Sequence, residues 1–86
     1  MKFELVKVKW LDAQTGFAQA MEIPEFLKDF EPIYNYSVGH LLCNDKEKII
    51  LGFLIMNDGE TNLVKHWQLI PKGMVKEVTK LKACSK

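Results

Sequence analysis

The chain predicts a small, mostly β domain. Three observations carry this: a run near the start that alternates polar and apolar residues, a nearly unbroken apolar run in the middle, and turn-forming residues at short intervals between them. With 86 residues, 48% of them hydrophobic and 27% charged, the composition is that of one globular domain spanning residues 1–86, not of a disordered chain. A domain of this size lies near the lower limit that one core can stabilise. So much apolar surface on so short a chain is hard to bury in a monomer, and self-association is expected.

Residues 3–11, FELVKVKWL, place Val6, Val8 and Trp10 on one side of a strand and Lys7 and Lys9 on the other, the pattern of half-burial. Asp12 to Gly16 reads as a loop. In residues 24–30, PEFLKDF, Pro24 stands at a helix-start position, with Phe26, Leu27 and Phe30 at helical spacing, so one or two helical turns are expected before Pro32. Tyr36 to Cys43 reads as a second strand in which Gly39 marks a bulge or a close backbone approach. Asn44 to Glu47 forms a polar turn. Lys48 to Met56, KIILGFLIM, is apolar on both faces, as expected of a strand that is central or that covers a partner. Asp58-Gly59 is the strongest turn signal in the chain. Leu63 to Ile70 is the next strand, ended by Pro71. Residues 74–82 fit a helix by spacing, but their β-branched residues and the adjacent Pro-Lys-Gly favour a short closing strand. Five short strands in this order suggest a strongly bent barrel of the SH3 or Sm type, with a short helical turn in the long loop after the first strand.

Net charge is +1, and every cationic residue except the two histidines is lysine. The absence of arginine counts against nucleic acid, because the forked guanidinium is the preferred group for bidentate phosphate or guanine recognition. The lysine-rich end, residues 72–86, reads first as a solvated tail. The start of the chain lacks the apolar run of a signal peptide, and no stretch approaches the roughly 18 apolar residues of a membrane span. Cys43 and Cys84 match no metal-ligand spacing and are too few for a disulfide framework. A reducing cytoplasm is the expected compartment, with no membrane partner and no cofactor.

Val8-Lys9-Trp10-Leu11-Asp12-Ala13, Ser37-Val38-Gly39-His40-Leu41 and Ile70-Pro71-Lys72-Gly73-Met74-Val75-Lys76-Glu77-Val78 resemble a family of small bacteriophage proteins. The family pattern runs V-x-W-x-D-A, a loop with an aromatic residue, S-V-G-x-L, a charged turn, an apolar strand, a D-G turn and I-P-K-x-x-I-x-x-I. The blocks span nearly the whole chain in the right order. Phe17 stands where the loop aromatic is often tryptophan, and Lys65-His66-Trp67 stand where many relatives carry Val, Thr or Met. The resemblance implies phage origin, a bacterial host cytoplasm, an SH3- or Sm-like barrel and a non-catalytic role. It supplies no ligand.

Catalysis finds little support in the residues. His40 and Cys43 lie three apart, on opposite faces of a strand. Cys43 and His66 would have to meet across strands with no third group to orient them. The hydroxyl of Ser37 is expected to be satisfied by local backbone. A metal site would need His40, His66 and a cysteine to converge, and none is expected. Binding fares better. Trp10 reads first as a core residue with its N–H satisfied, and second, with Asp12 and Phe17, as part of a loop-side ligand contact. On a strand His66 and Trp67 face opposite ways, so an outward Trp67 beside Lys65 would offer a stacking surface; an inward Trp67 with Lys65 snorkelling past it is equally open. Two functions of different class follow. One is a homo-oligomer holding a small anionic or nucleotide ligand, such as a host defence signal, near Lys65, His66, Trp67 and Lys72, with strand 48–56 as the subunit contact. The other is a module that docks on a host protein and alters its activity. Sm-like RNA binding is a third reading, not favoured.

Overall fold

The computed structural model describes residues 3–16, 19–28 and 30–82. Its architecture is one five-stranded antiparallel sheet: β1 (Leu5–Leu11), β2 (Tyr34–Asn44), β3 (Lys48–Asn57), β4 (Asn62–Pro71) and β5 (Val75–Lys80). The five-residue helix α1 (Ile23–Leu27) interrupts the loop between β1 and β2, and a 3₁₀ turn (Lys72–Met74) joins β4 to β5. Strand order across the sheet is β4-β3-β2-β1-β5. β4 and β5 are therefore its two edges, and the sheet is open. The closing segment is a strand, as the β-branched Val75, Val78 and Thr79 favoured over helical spacing.

Alternation in β1 drives the core. Val6 and Val8 are fully buried with Ile49 and Leu51 of β3 and Ile70 of β4, and Trp10, Leu41, Met74 and Val75 are packed around them. The indole N–H of Trp10 donates to the Ser37 hydroxyl across the β1–β2 ladder at 2.9 Å. Ser37 is thus satisfied by a side chain, not by the local backbone expected from sequence, because register sets Val8 opposite Ser37 and Trp10 opposite Asn35. Gly39 is indeed a close approach: a Cβ there would stand 3.1 Å from both the Gly52 carbonyl oxygen and the Phe53 ring.

Both hairpin turns are built by aspartate. Asp45 accepts from the backbone N–H groups of Glu47 and Lys48 and from the Lys48 ammonium. Asp58 accepts from those of Glu60 and Thr61, with Gly59 at a φ of 97° that costs glycine little.

The molecule is long. It measures 60 × 27 × 25 Å with a radius of gyration of 17.7 Å, against about 12 Å for a compact domain of this length. Beyond Gly52 the β3–β4 hairpin carries Phe53, Leu54, Met56, Leu63, Val64 and Trp67, all exposed. This arm is where the two-faced apolar run lies, and within one chain neither face of it is fully covered.

Candidate functional site

The residues that sequence singled out fall at separate places. Trp10 and Asp12 sit at the end of β1, where Asp12 N–H donates to the Ile33 carbonyl at 2.8 Å and closes the long loop. Phe17 lies outside the described residues. Lys65, His66 and Trp67 occupy the middle of β4, on the arm. Lys72 is at the other end of that hairpin, where its ammonium donates to the Asn44 side chain and its N–H to the Glu47 carbonyl. Trp67 pairs with Gly52 and Pro71 with Lys48, so Lys72 stands more than about 13 Å along the strand from Trp67 at ~3.3 Å per residue. One pocket therefore does not gather Trp67 and Lys72.

Trp67 faces outward, 62% exposed, and His66 is exposed as well. His66 adopts a φ of 63° inside a strand, a left-handed conformation that costs a non-glycine residue about 1–2 kcal/mol. The β3–β4 register is the same on both sides of this residue, and both side chains stay in solvent because neither face of the arm is fully covered. Cys43 pairs with Ile50, and Ile50 with Leu69. That leaves His66 three positions, about 10 Å, farther along β4. The contact of Cys43 is with Asp45, its thiol donating to Oδ2 at 3.5 Å. Among the described residues no three of His, Cys, Asp and Glu converge as metal ligands would.

The structure does assemble a cluster that sequence reasoning missed. On the outward face of β1 and β2, register sets Lys9 opposite Tyr36 and Leu11 opposite Tyr34. The Lys9 ammonium lies 4.7 Å from the Tyr34 ring centroid and 6.0 Å from that of Tyr36, and Lys7 lies 5.7 Å from Tyr36. Among the described residues neither ammonium forms an ion pair. Glu77 faces Lys9 from β5, but its carboxylate accepts from the Thr79 hydroxyl at 3.3 Å. Tyr36 is 60% exposed. Two π faces with two ammonium groups above them can stack on an aromatic ring and neutralise an anion. The signal was present in the chain as two period-two pairs, Lys7/Lys9 and Tyr34/Tyr36, which put each pair on one face of its own strand.

Two apolar hollows flank the sheet. One, about 360 Å³, lies between the long loop and α1, lined by residues that include Gln14, Gln19, Met21, Phe26 and Phe30. The other, about 250 Å³, lies beside the arm, lined by Phe3, Leu42, Ile55, Asn62, Leu63 and Val64. In β2 the Nδ1 of His40 is buried without a hydrogen-bond partner. No protein-family model matches the chain, and no curated protein and no solved structure matches it either.

Proposed function

We propose that the protein is a non-enzymatic, self-associating phage accessory module that binds a small anionic ligand carrying an aromatic ring, such as a nucleotide. The observation that carries this reading is the Lys7, Lys9, Tyr34 and Tyr36 cluster, in which π faces and unpaired cations share one solvent-facing patch. The base would stack on Tyr36 while its phosphates take the two ammonium groups. Sequestering a nucleotide signal of host defence is a role such a binder fills without chemistry. The order β4-β3-β2-β1-β5 with a 3₁₀ turn before β5 supports an SH3- or Sm-like fold, and the phage-family motifs support the origin. Self-association is supported by the exposed apolar arm.

Native mass spectrometry of the freshly purified protein, beside titrations with a nucleoside triphosphate and a short single-stranded oligonucleotide, tests this. Added small-molecule mass or triphosphate binding, lost in a Lys9→Glu/Tyr36→Ala variant, is the expected result. A protein that carries nothing and binds neither probe refutes the ligand. Preference for the oligonucleotide, with steep salt dependence, would select RNA binding instead.

A second reading has its own observation. Met21, Ile23, Phe26, Leu27, Phe30 and Ile33 are all exposed around α1, and the Phe26 and Phe30 rings stand 4.4 Å apart. This apolar excursion suits docking on a host protein. Phe26→Ser would then abolish partner capture while leaving triphosphate binding intact.

A further inference from the structure

The arm that leaves the body of the molecule has a charge pattern to set beside its apolar surface. Between Ile49 and Ile70 the formally charged residues are Asp58 and Glu60 at the tip and Lys65 partway down. Leu54 pairs with Lys65 and Asn57 with Asn62, so Lys65 lies about 10 Å from the last ladder pair before the tip. Between these charges lie the rows Ile55–Val64 and Met56–Leu63, all apolar and mostly exposed. The 250 Å³ hollow opens beside the same rows. Hydrogen bonds from the tip's own backbone hold the Asp58 carboxyl below the usual carboxylate range, so the tip is anionic at neutral pH.

The molecule as a whole exposes more surface than its size requires. The chain exposes 7319 Å², whereas a folded monomer of 9.9 kDa exposes about 5,200 Å². A standard stable interface takes roughly 800 Å² from each partner. The surplus, on the order of 2,000 Å² over the whole chain, is shared between the arm and the exposed residues around α1.

We infer that the occupant of the arm is the arm of a second copy, packed antiparallel about a two-fold axis at the Met56–Leu63 row, which shares one face of the hairpin with Leu54 and Lys65, with Lys65 of each copy meeting Glu60 of the other. This specifies the contact of the self-association proposed above and rests on it. A two-fold contact is isologous, so one self-complementary pattern is used twice. Parallel arms would set acidic tip against acidic tip, which the charge order disfavours. The apolar Met56–Leu63 row lies at the centre and the charges at the rim, the layout of a protein interface.

Charge reversal with a complementing mixture tests the arrangement. Analytical ultracentrifugation at low salt would compare the wild-type chain, Lys65→Glu, Glu60→Lys and an equimolar mixture of the two variants, with circular dichroism confirming an unchanged fold. Expected are an even-numbered wild-type oligomer, dissociation constants raised about tenfold or more in each variant alone, and recovery of wild-type affinity in the mixture. An oligomer indifferent to both reversals, or a mixture that fails to recover, overturns the antiparallel arm contact while self-association stands. A wild-type monomer at every concentration overturns both.

Discussion

At the scale of single residues, stability rests on a few contacts that admit no substitute. Among the described residues the core holds five fully buried side chains, and none is larger than leucine or isoleucine. Close approaches around it matter accordingly. Gly39 is the least forgiving, because one of the atoms a Cβ would meet is the backbone oxygen of Gly52, which cannot swing aside. Gly39→Ala should therefore cost about 1–3 kcal/mol, the ordinary range for overpacking. Urea unfolding followed by fluorescence would read it as a lower midpoint at an unchanged slope. An unchanged midpoint would mean that β2 and β3 separate freely at this crossing.

At the scale of elements, the two hairpin turns are the pH-sensitive parts. The Lys48 ammonium, with the backbone N–H groups of Glu47 and Lys48, holds the Asp45 carboxyl far below its ordinary value of 3.8. The same contact raises Lys48 above its ordinary value, and Asp58 is lowered by the N–H groups of Thr61 and Glu60. A carboxyl whose folded pKa lies below its unfolded one binds fewer protons when folded. It stabilises the fold above the unfolded value, and that contribution is lost as pH falls from about 4 through the folded value. Both aspartates act in the same direction, so the melting temperature should decline on acidification below pH 4. Asp45→Asn should flatten that decline and lower the melting temperature at pH 7, as thermal melts from pH 2 to 7 would report. A variant with the full acid slope would move the effect to other carboxyls. The Lys48–Asp45 pair is exposed, so salt should shrink the effect.

At the scale of the whole molecule, shape and surface agree. A 60 Å length and an arm with apolar residues on both faces describe a chain whose core is too small for its apolar content. Partners that bind only the folded state stabilise it by mass action. The melting temperature should thus rise by several degrees between micromolar and hundred-micromolar protein, measured by calorimetry. A concentration-independent melt, with a mass of one chain, would leave the arm exposed in solution and favour a foreign protein as its cover.

The sequence by itself determined the elements. Period-two alternation gave β1, Asp-Gly and the Asn-Asp pair gave the turns, Pro24 gave the start of α1, and β-branched residues gave β5 against a competing helical spacing. These signals are local, and local chemistry is enough to form them. Two-faced apolarity in residues 48–56 marked a strand that is central or that covers a partner; its first half is buried at Ile49 and Leu51, and its second half is exposed at Phe53, Leu54 and Met56. What the sequence left open required register. Lys7 and Lys9 were legible as one face of β1, and Tyr34 and Tyr36 as one face of their strand, but only the pairing of Lys9 with Tyr36 makes them a single cluster. Trp67 was undecided between core and surface until the fold placed it on the uncovered arm, with the indole in solvent. Of the residues first grouped as a site, Trp67 and Lys72 were near one another in chemistry and not in space. Strand pairing separates Lys72 from Trp67 along the β3–β4 hairpin, whereas Trp10 pairs with Val75, three residues beyond Lys72. Side-chain type is written residue by residue, whereas neighbourhood between strands is set by hydrogen-bond register, bulges and bend, and only the folded sheet decides those.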